Sequence, residues 1–114
     1  MHELGVTFHV VDHVVSIAQK NDIKKVDRVI IELGEVSTVV PNLLIDCWNW
    51  ARKKHSELEN CELIVETIKA VTFCEDCKKE YGTVEHGKIC PFCGSENTYL
   101  LKGNEFTIKQ IEVD

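Results

Sequence analysis

The chain predicts an α+β fold, a small mixed three-stranded sheet backed by two helices with a cysteine-rich lobe inserted into it. Three observations carry this. Apolar residues recur at helical spacing over 4–18 and again over 44–51, while β-branched residues alternate over 28–34, 61–71 and 105–113. Between the last two strands stand Cys74-Glu-Asp-Cys77 and Cys90-Pro-Phe-Cys93, twelve residues apart, a spacing that closes four thiolates around one ion in a zinc-ribbon-like lobe. The order helix, strand, helix, strand, insert, strand assigns 1–72 and 103–114 to a helix–sheet domain and 73–102 to the insertion.

Each element has a local cause. Leu4, Phe8, Val11, Val15 and Ala18 form an apolar stripe widened by Val10, Val14 and Ile17, with His9, Asp12, His13, Ser16 and Gln19 opposite. Gly5 and Val6 are weak helix formers, so the start of this helix is expected to fray. Val29, Ile31 and Leu33 alternate with Ile30 and Glu32 as in a strand covered on one face, and Gly34-Glu35 begins a turn. Pro41 opens the second helix, because the N–H it lacks would be unpaired there. Leu44, Trp48 and Ala51 form its buried stripe, and Arg52, Lys53, Lys54 and His55 place favourable charge at its end. The run 61–71 reads as one long strand heading for Cys74. In the last strand Phe106 and Ile108 are out of phase with Ile111 and Val113, as a bulge or partial cover on both faces would produce.

A length of 114 residues and 44% apolar content suffice for one compact domain and a small appendage. His2 and Glu3 follow Met1 with no long apolar run, which predicts a cytoplasmic chain with reduced thiols rather than three disulfides. No stretch approaches the roughly 20 apolar residues of a membrane span. A net charge of -6, from 19 acidic and 13 basic side chains, argues against a general nucleic-acid binder.

Cys74, Cys77, Cys90 and Cys93 are the strongest chemical signal. Four sulfurs fill a tetrahedral ion and leave no open position, so this metal holds structure and does not catalyse. Zn²⁺ is the expected ion, although tetrahedral sulfur also suits iron. Gly94 permits the backbone turn such a knuckle needs, and Gly82 and Gly87 loosen the intervening hairpin. Cys47 and Cys61 read as buried apolar side chains.

A second candidate is the amino terminus, Met1-His2-Glu3. The α-amine, the His2 amide nitrogen and the His2 imidazole can close two fused chelate rings, a flat nitrogen set that matches Ni²⁺ or Cu²⁺. The same residues equally describe a plain chain end ahead of a helix. His9 and His13 lie one helical turn apart but lack the Glu of a hydrolytic zinc helix and read as surface histidines. His55 reads as a helix-end charge and His86 as a solvated neighbour of the cysteine lobe.

Met1-His2-Glu3 before an amphipathic helix, Glu32-Leu33-Gly34-Glu35-Val36-Ser37 before Pro41, and the Cys-x-x-Cys and Cys-Pro-x-Cys-Gly-Ser pairs together resemble the hydrogenase nickel-incorporation family HypA/HybF, end to end. The resemblance implies a nickel metallochaperone, not an enzyme, that serves nickel-iron hydrogenase, or in some organisms urease. It implies as partners the maturation GTPase HypB and the hydrogenase large subunit, and a monomer or weak dimer that binds neither nucleic acid nor membrane. Carried over by residue, it implies transported Ni²⁺ on Met1 and His2 with Glu3 as neighbouring ligand or modulator, and structural Zn²⁺ on the four cysteines. The alternatives are a zinc-ribbon module for nucleic acid or protein contact, and a rubredoxin-like electron carrier.

Overall fold

The computed structural model describes residues 2–113, of His2 the backbone only. Helix α1 spans His2–Lys20, strand β1 Val26–Gly34 and helix α2 Pro41–Ala51, followed by 3-10 turns at Arg52–Lys54 and Ser56–Leu58. Strands β2 (Glu62–Ile68), β3 (Val71–Cys74) and β4 (Glu80–Gly82) come next, then a helical turn α3 (Thr83–His86) and strands β5 (Thr98–Lys102) and β6 (Phe106–Val113). Two three-stranded sheets form, ordered β2-β1-β6 and β4-β3-β5. The α+β class is as expected; the second sheet, inside the cysteine lobe, is an addition to it. Two compact units result: Met1–Glu32, Thr38–Glu66 and Thr107–Asp114 make one, Leu33–Ser37 and Thr67–Phe106 the other.

In the first unit α1 packs on α2 and buries Thr7, Val10, Val11, Val14, Val15 and Ala18. This stripe is rotated from the expected one at its start. Glu3 and Thr7 are buried, whereas Leu4 is half-buried and Phe8 is 37% exposed, its ring edge-on to Trp50 at 6.0 Å. Gly5 and Val6 are helical, where fraying was expected. Leu44, Trp48 and Ala51 are buried as their spacing predicts, and the wholly buried Trp48 donates its indole N–H to the Cys61 carbonyl at 3.1 Å. β1, central in its sheet, buries Val29, Ile31 and Leu33 on one face. β6 lies at an edge and buries no side chain, which accounts for its broken alternation. Ion pairs Arg28–Glu112 at 2.6 Å and Lys109–Glu66 at 2.8 Å are solvated and add little to stability.

In the second unit the expected long strand is cut in two after Ile68. Glu35 causes the break: its N–H donates to the Ile68 carbonyl at 2.8 Å and its carboxylate accepts the Ala70 N–H at 2.9 Å. Gly34 donates to Glu105 O and Val36 to Gly103 O, both at 2.8 Å, so three chain segments cross at one point. No side chain fits there. A Cβ on Gly34 would lie 2.0 Å from the Gly103 carbonyl oxygen, and one on Gly103, at φ +119°, would lie 2.4 Å from Ala70 Cα. The Glu-Leu-Gly-Glu stretch is thus a close backbone crossing. Beyond it β3 pairs antiparallel with β4 and β5, setting Thr72 opposite Tyr81 and Leu100, with an irregularity between Val71 and Thr72.

Gly34→Ala should lower stability by about 1–3 kcal/mol or more in urea unfolding, because the obstacle is backbone. Gly5→Ala has nothing within 4 Å to meet and lies within α1, so it should raise stability by about 0.5–1 kcal/mol in the same assay.

Candidate metal centre

The two cysteine pairs fold as near copies. In the first, Cys74 N–H donates to Lys79 O at 2.9 Å and Lys78 N–H returns to Cys74 O at 2.9 Å; in the second, Cys90 pairs likewise with Ser95 O at 2.9 Å and Gly94 with Cys90 O at 2.8 Å. The residue after each closing cysteine takes the left-handed conformation, Gly94 at φ 75° as expected and Lys78 at φ 62°. A lysine there carries a cost that glycine does not.

All four sulfurs lie within 4.8 Å of one another, with Cys74–Cys93 and Cys77–Cys90 each 3.6 Å apart. A tetrahedron of Zn–S bonds has edges of about 3.8 Å, so these positions fit such an ion, and they are far beyond a disulfide bond of about 2.05 Å. Backbone N–H groups face the sulfurs: Lys79 toward Cys77, Phe92 and Cys93 toward Cys90, Ser95 toward Cys93. Burial pushes Cys90 up, but the N–H groups of Cys93 and Phe92 together with hydrogen bonds from the Cys77 and Cys93 thiols outweigh it and bring the thiol down to about 7. The Ser95 N–H pulls Cys93 down, yet desolvation and the shared hydrogen bonds of its sulfur neighbours push it up to about 12. A cation entering this set displaces protons, so its binding strengthens as pH rises. Cys74 and Cys90 are buried against Tyr81, whose hydroxyl donates to Gly87 O at 2.9 Å, while Cys93 is exposed. The stretch between the knuckles is β4 and a helical turn, in place of the expected hairpin; Gly82 precedes that turn and Gly87, at φ 62°, ends it.

Among the described residues this is the one group of three or more His, Cys, Asp or Glu side chains placed to share an ion. His9 and His13 are exposed on α1 and belong to no such group. His86 packs edge-on to Tyr81 at 5.9 Å. Cys47 is half-buried and Cys61 buried, the latter pushed up to about 11 by burial.

Met1 and the His2 side chain lie outside the described residues, but Glu3 is well placed. It is buried in the first turn of α1, where Thr7 Oγ donates to its carbonyl at 2.5 Å, and its carboxylate Oε2 accepts the Val40 N–H at 3.1 Å. Val40 is the N-cap of α2 and has no side chain able to cap. Glu3 therefore supplies from α1 the acceptor that the start of α2 lacks, favoured by the positive end of the helix dipole. The sequence held one sign of this, a valine where a capping residue belongs.

An α+β chain with a closed four-sulfur set in its second unit defines a metal-site protein. The family described as hydrogenase/urease nickel incorporation, metallochaperone, HypA, matches residues 1–113, and the chain belongs to it. It is a maturation factor and not an enzyme. Hydrogenase maturation factor HypA of Geotalea uraniireducens is 32% identical over 100% of both chains, and that of Aquifex aeolicus 33% over 100% of this chain and 98% of its own. HybF of Klebsiella pneumoniae is 30% identical over 98% of each. In fold the chain is similar to the solution structure of a HypA protein, with TM-score 0.74, 25% identity and coverage of 99% and 96%. It is also similar to the Ni metallochaperone HypA from Helicobacter pylori, with TM-score 0.69, 23% identity and coverage of 97% and 96%. No helix among the described residues is long and apolar enough to cross a membrane.

Glu3→Ala should destabilise the chain by about 1–3 kcal/mol and speed hydrogen exchange at the Val40 amide, with Glu3→Gln restoring most of the protection. Cys61, neutral at pH 8 because its thiol is pushed up to about 11, should resist iodoacetamide in the folded chain and react once urea exposes it.

Proposed function

We propose that the chain binds Ni²⁺ at its amino terminus and passes it on during maturation of nickel-iron hydrogenase, while Cys74, Cys77, Cys90 and Cys93 hold a resident Zn²⁺. The family match over residues 1–113, which takes in the Met-His-Glu start, carries this reading. The cargo sits on the Met1 amine, the His2 amide nitrogen and the His2 imidazole, with Glu3 beside it as ligand or modulator. Flat nitrogen coordination favours Ni²⁺ over Zn²⁺, and the four thiolates favour Zn²⁺ in a closed tetrahedron, so the two ions are sorted by ligand and geometry. Supporting a terminal site, the Glu3 hydrogen bond to Val40 fixes the residue that follows the chelate.

No bond of a substrate is broken. Nickel moves by ligand exchange to and from the GTPase HypB and on to the hydrogenase large subunit, or to urease in a cell that makes it. The helix–sheet part, 1–72 and 103–114, handles nickel; the insertion, 73–102, holds zinc. The chain acts in the cytoplasm, where Cys47 and Cys61 stay reduced, as a monomer or weak dimer without nucleic acid or membrane. Family membership weighs against the nucleic-acid module and the electron carrier.

Two residues added before Met1, or His2→Ala, should weaken Ni²⁺ binding at least tenfold by calorimetry and leave one zinc per chain. Unchanged nickel affinity in both would refute the terminal chelate. Because amine, amide and imidazole must lose protons to bind, nickel affinity should fall as pH drops below neutrality.

A further inference from the structure

The two knuckles reach the ion from separate stretches of chain, and something other than the ion must set one against the other. Asp76, between the cysteines of the first knuckle, accepts hydrogen bonds from the Ser95 hydroxyl and, at 3.4 Å, from Asn97 Nδ2, both just beyond the second. The neighbouring Glu75 N–H donates to the Asn97 carbonyl at 3.0 Å, and Asn97 N–H donates to Ser95 Oγ at 2.9 Å. These bonds stitch the first knuckle to the exit of the second.

Charge alone disfavours an acid at this place. A divalent ion with four thiolates carries a net charge of about -2, and a carboxylate one residue from Cys77 adds repulsion. Asp76 is exposed, so burial does not explain it either. We infer that Asp76 is a positioning residue for the four-cysteine centre, its carboxylate clasping Ser95 and Asn97 so that the two thiolate pairs stand ready around one ion. The inference rests on the reading of those cysteines as holding a resident Zn²⁺. The sulfur–sulfur hydrogen bonds between the knuckles need thiol protons that a bound ion displaces, so in the loaded centre the clasp sets how fast the pairs part and the ion escapes.

The test uses the full zinc-loaded chain and follows zinc transfer to an excess of a chromophoric chelator. Asp76→Ala should release zinc about 10–100-fold faster, and Asp76→Asn, which keeps one acceptor oxygen, should fall between it and the wild type. Glu75→Ala removes an equal charge from the adjacent exposed residue and keeps the backbone bond to Asn97, so its release should match or lag the wild type. If Asp76→Ala does not yield folded protein by circular dichroism, Ser95→Ala with Asn97→Ala opens the same clasp from the other side and should show the same acceleration. Release from Asp76→Ala, or from that donor variant, at the wild-type rate overturns the inference, and so does an equal acceleration in Glu75→Ala. A wild-type chain that purifies without zinc would overturn the four-cysteine reading together with it.

Discussion

The second unit depends on four sulfur atoms within 4.8 Å of one another. Its buried apolar side chains are few, Cys74, Tyr81 and Cys90 with Cys77 packed beside them and Leu33 and Ala70 at the crossing, too little to hold 45 residues against their conformational entropy. Structural zinc in comparably small peptides supplies about 10–16 kcal/mol, several times what such a cluster offers. The rest of the unit follows from that need: N–H groups turned toward sulfur, a left-handed lysine tolerated at Lys78, and a buried tyrosine tied by its hydroxyl to Gly87 O.

The first unit obeys a different constraint. Trp48, Leu44, Val14 and Ile31 are fully enclosed, and no ion is needed to explain their packing. Glu3 joins the first turn of α1 to the cap of α2, so these two helix starts are tied to each other.

How far the sequence disclosed this depended on the range of the interactions involved. The thiolate set was legible because ligand spacing is local, and β1 was legible because a central strand imprints its burial on every second residue. The break after Ile68 was not. Residues 62–74 are uniformly strand-like, and the interruption is imposed by Glu35, more than thirty positions upstream. The α1 stripe was displaced for a similar reason: aromatic contact with Trp50 lets Phe8 sit at the rim, and the acceptor needed by α2 draws the polar Glu3 inward. The glycines of the crossing were visible as letters, but their purpose required seeing Gly103 and Ala70 brought against Gly34.

Trp48 and Trp50 stand two positions apart on one helix, the first wholly enclosed and the second 53% exposed under the Lys54 ammonium at 4.7 Å. The chain thereby contains two indole fluorophores in opposite environments, separable by colour and by access to an aqueous quencher. Emission from the outer ring reports on whatever settles over that side of the helix, while the inner ring registers only loss of the fold.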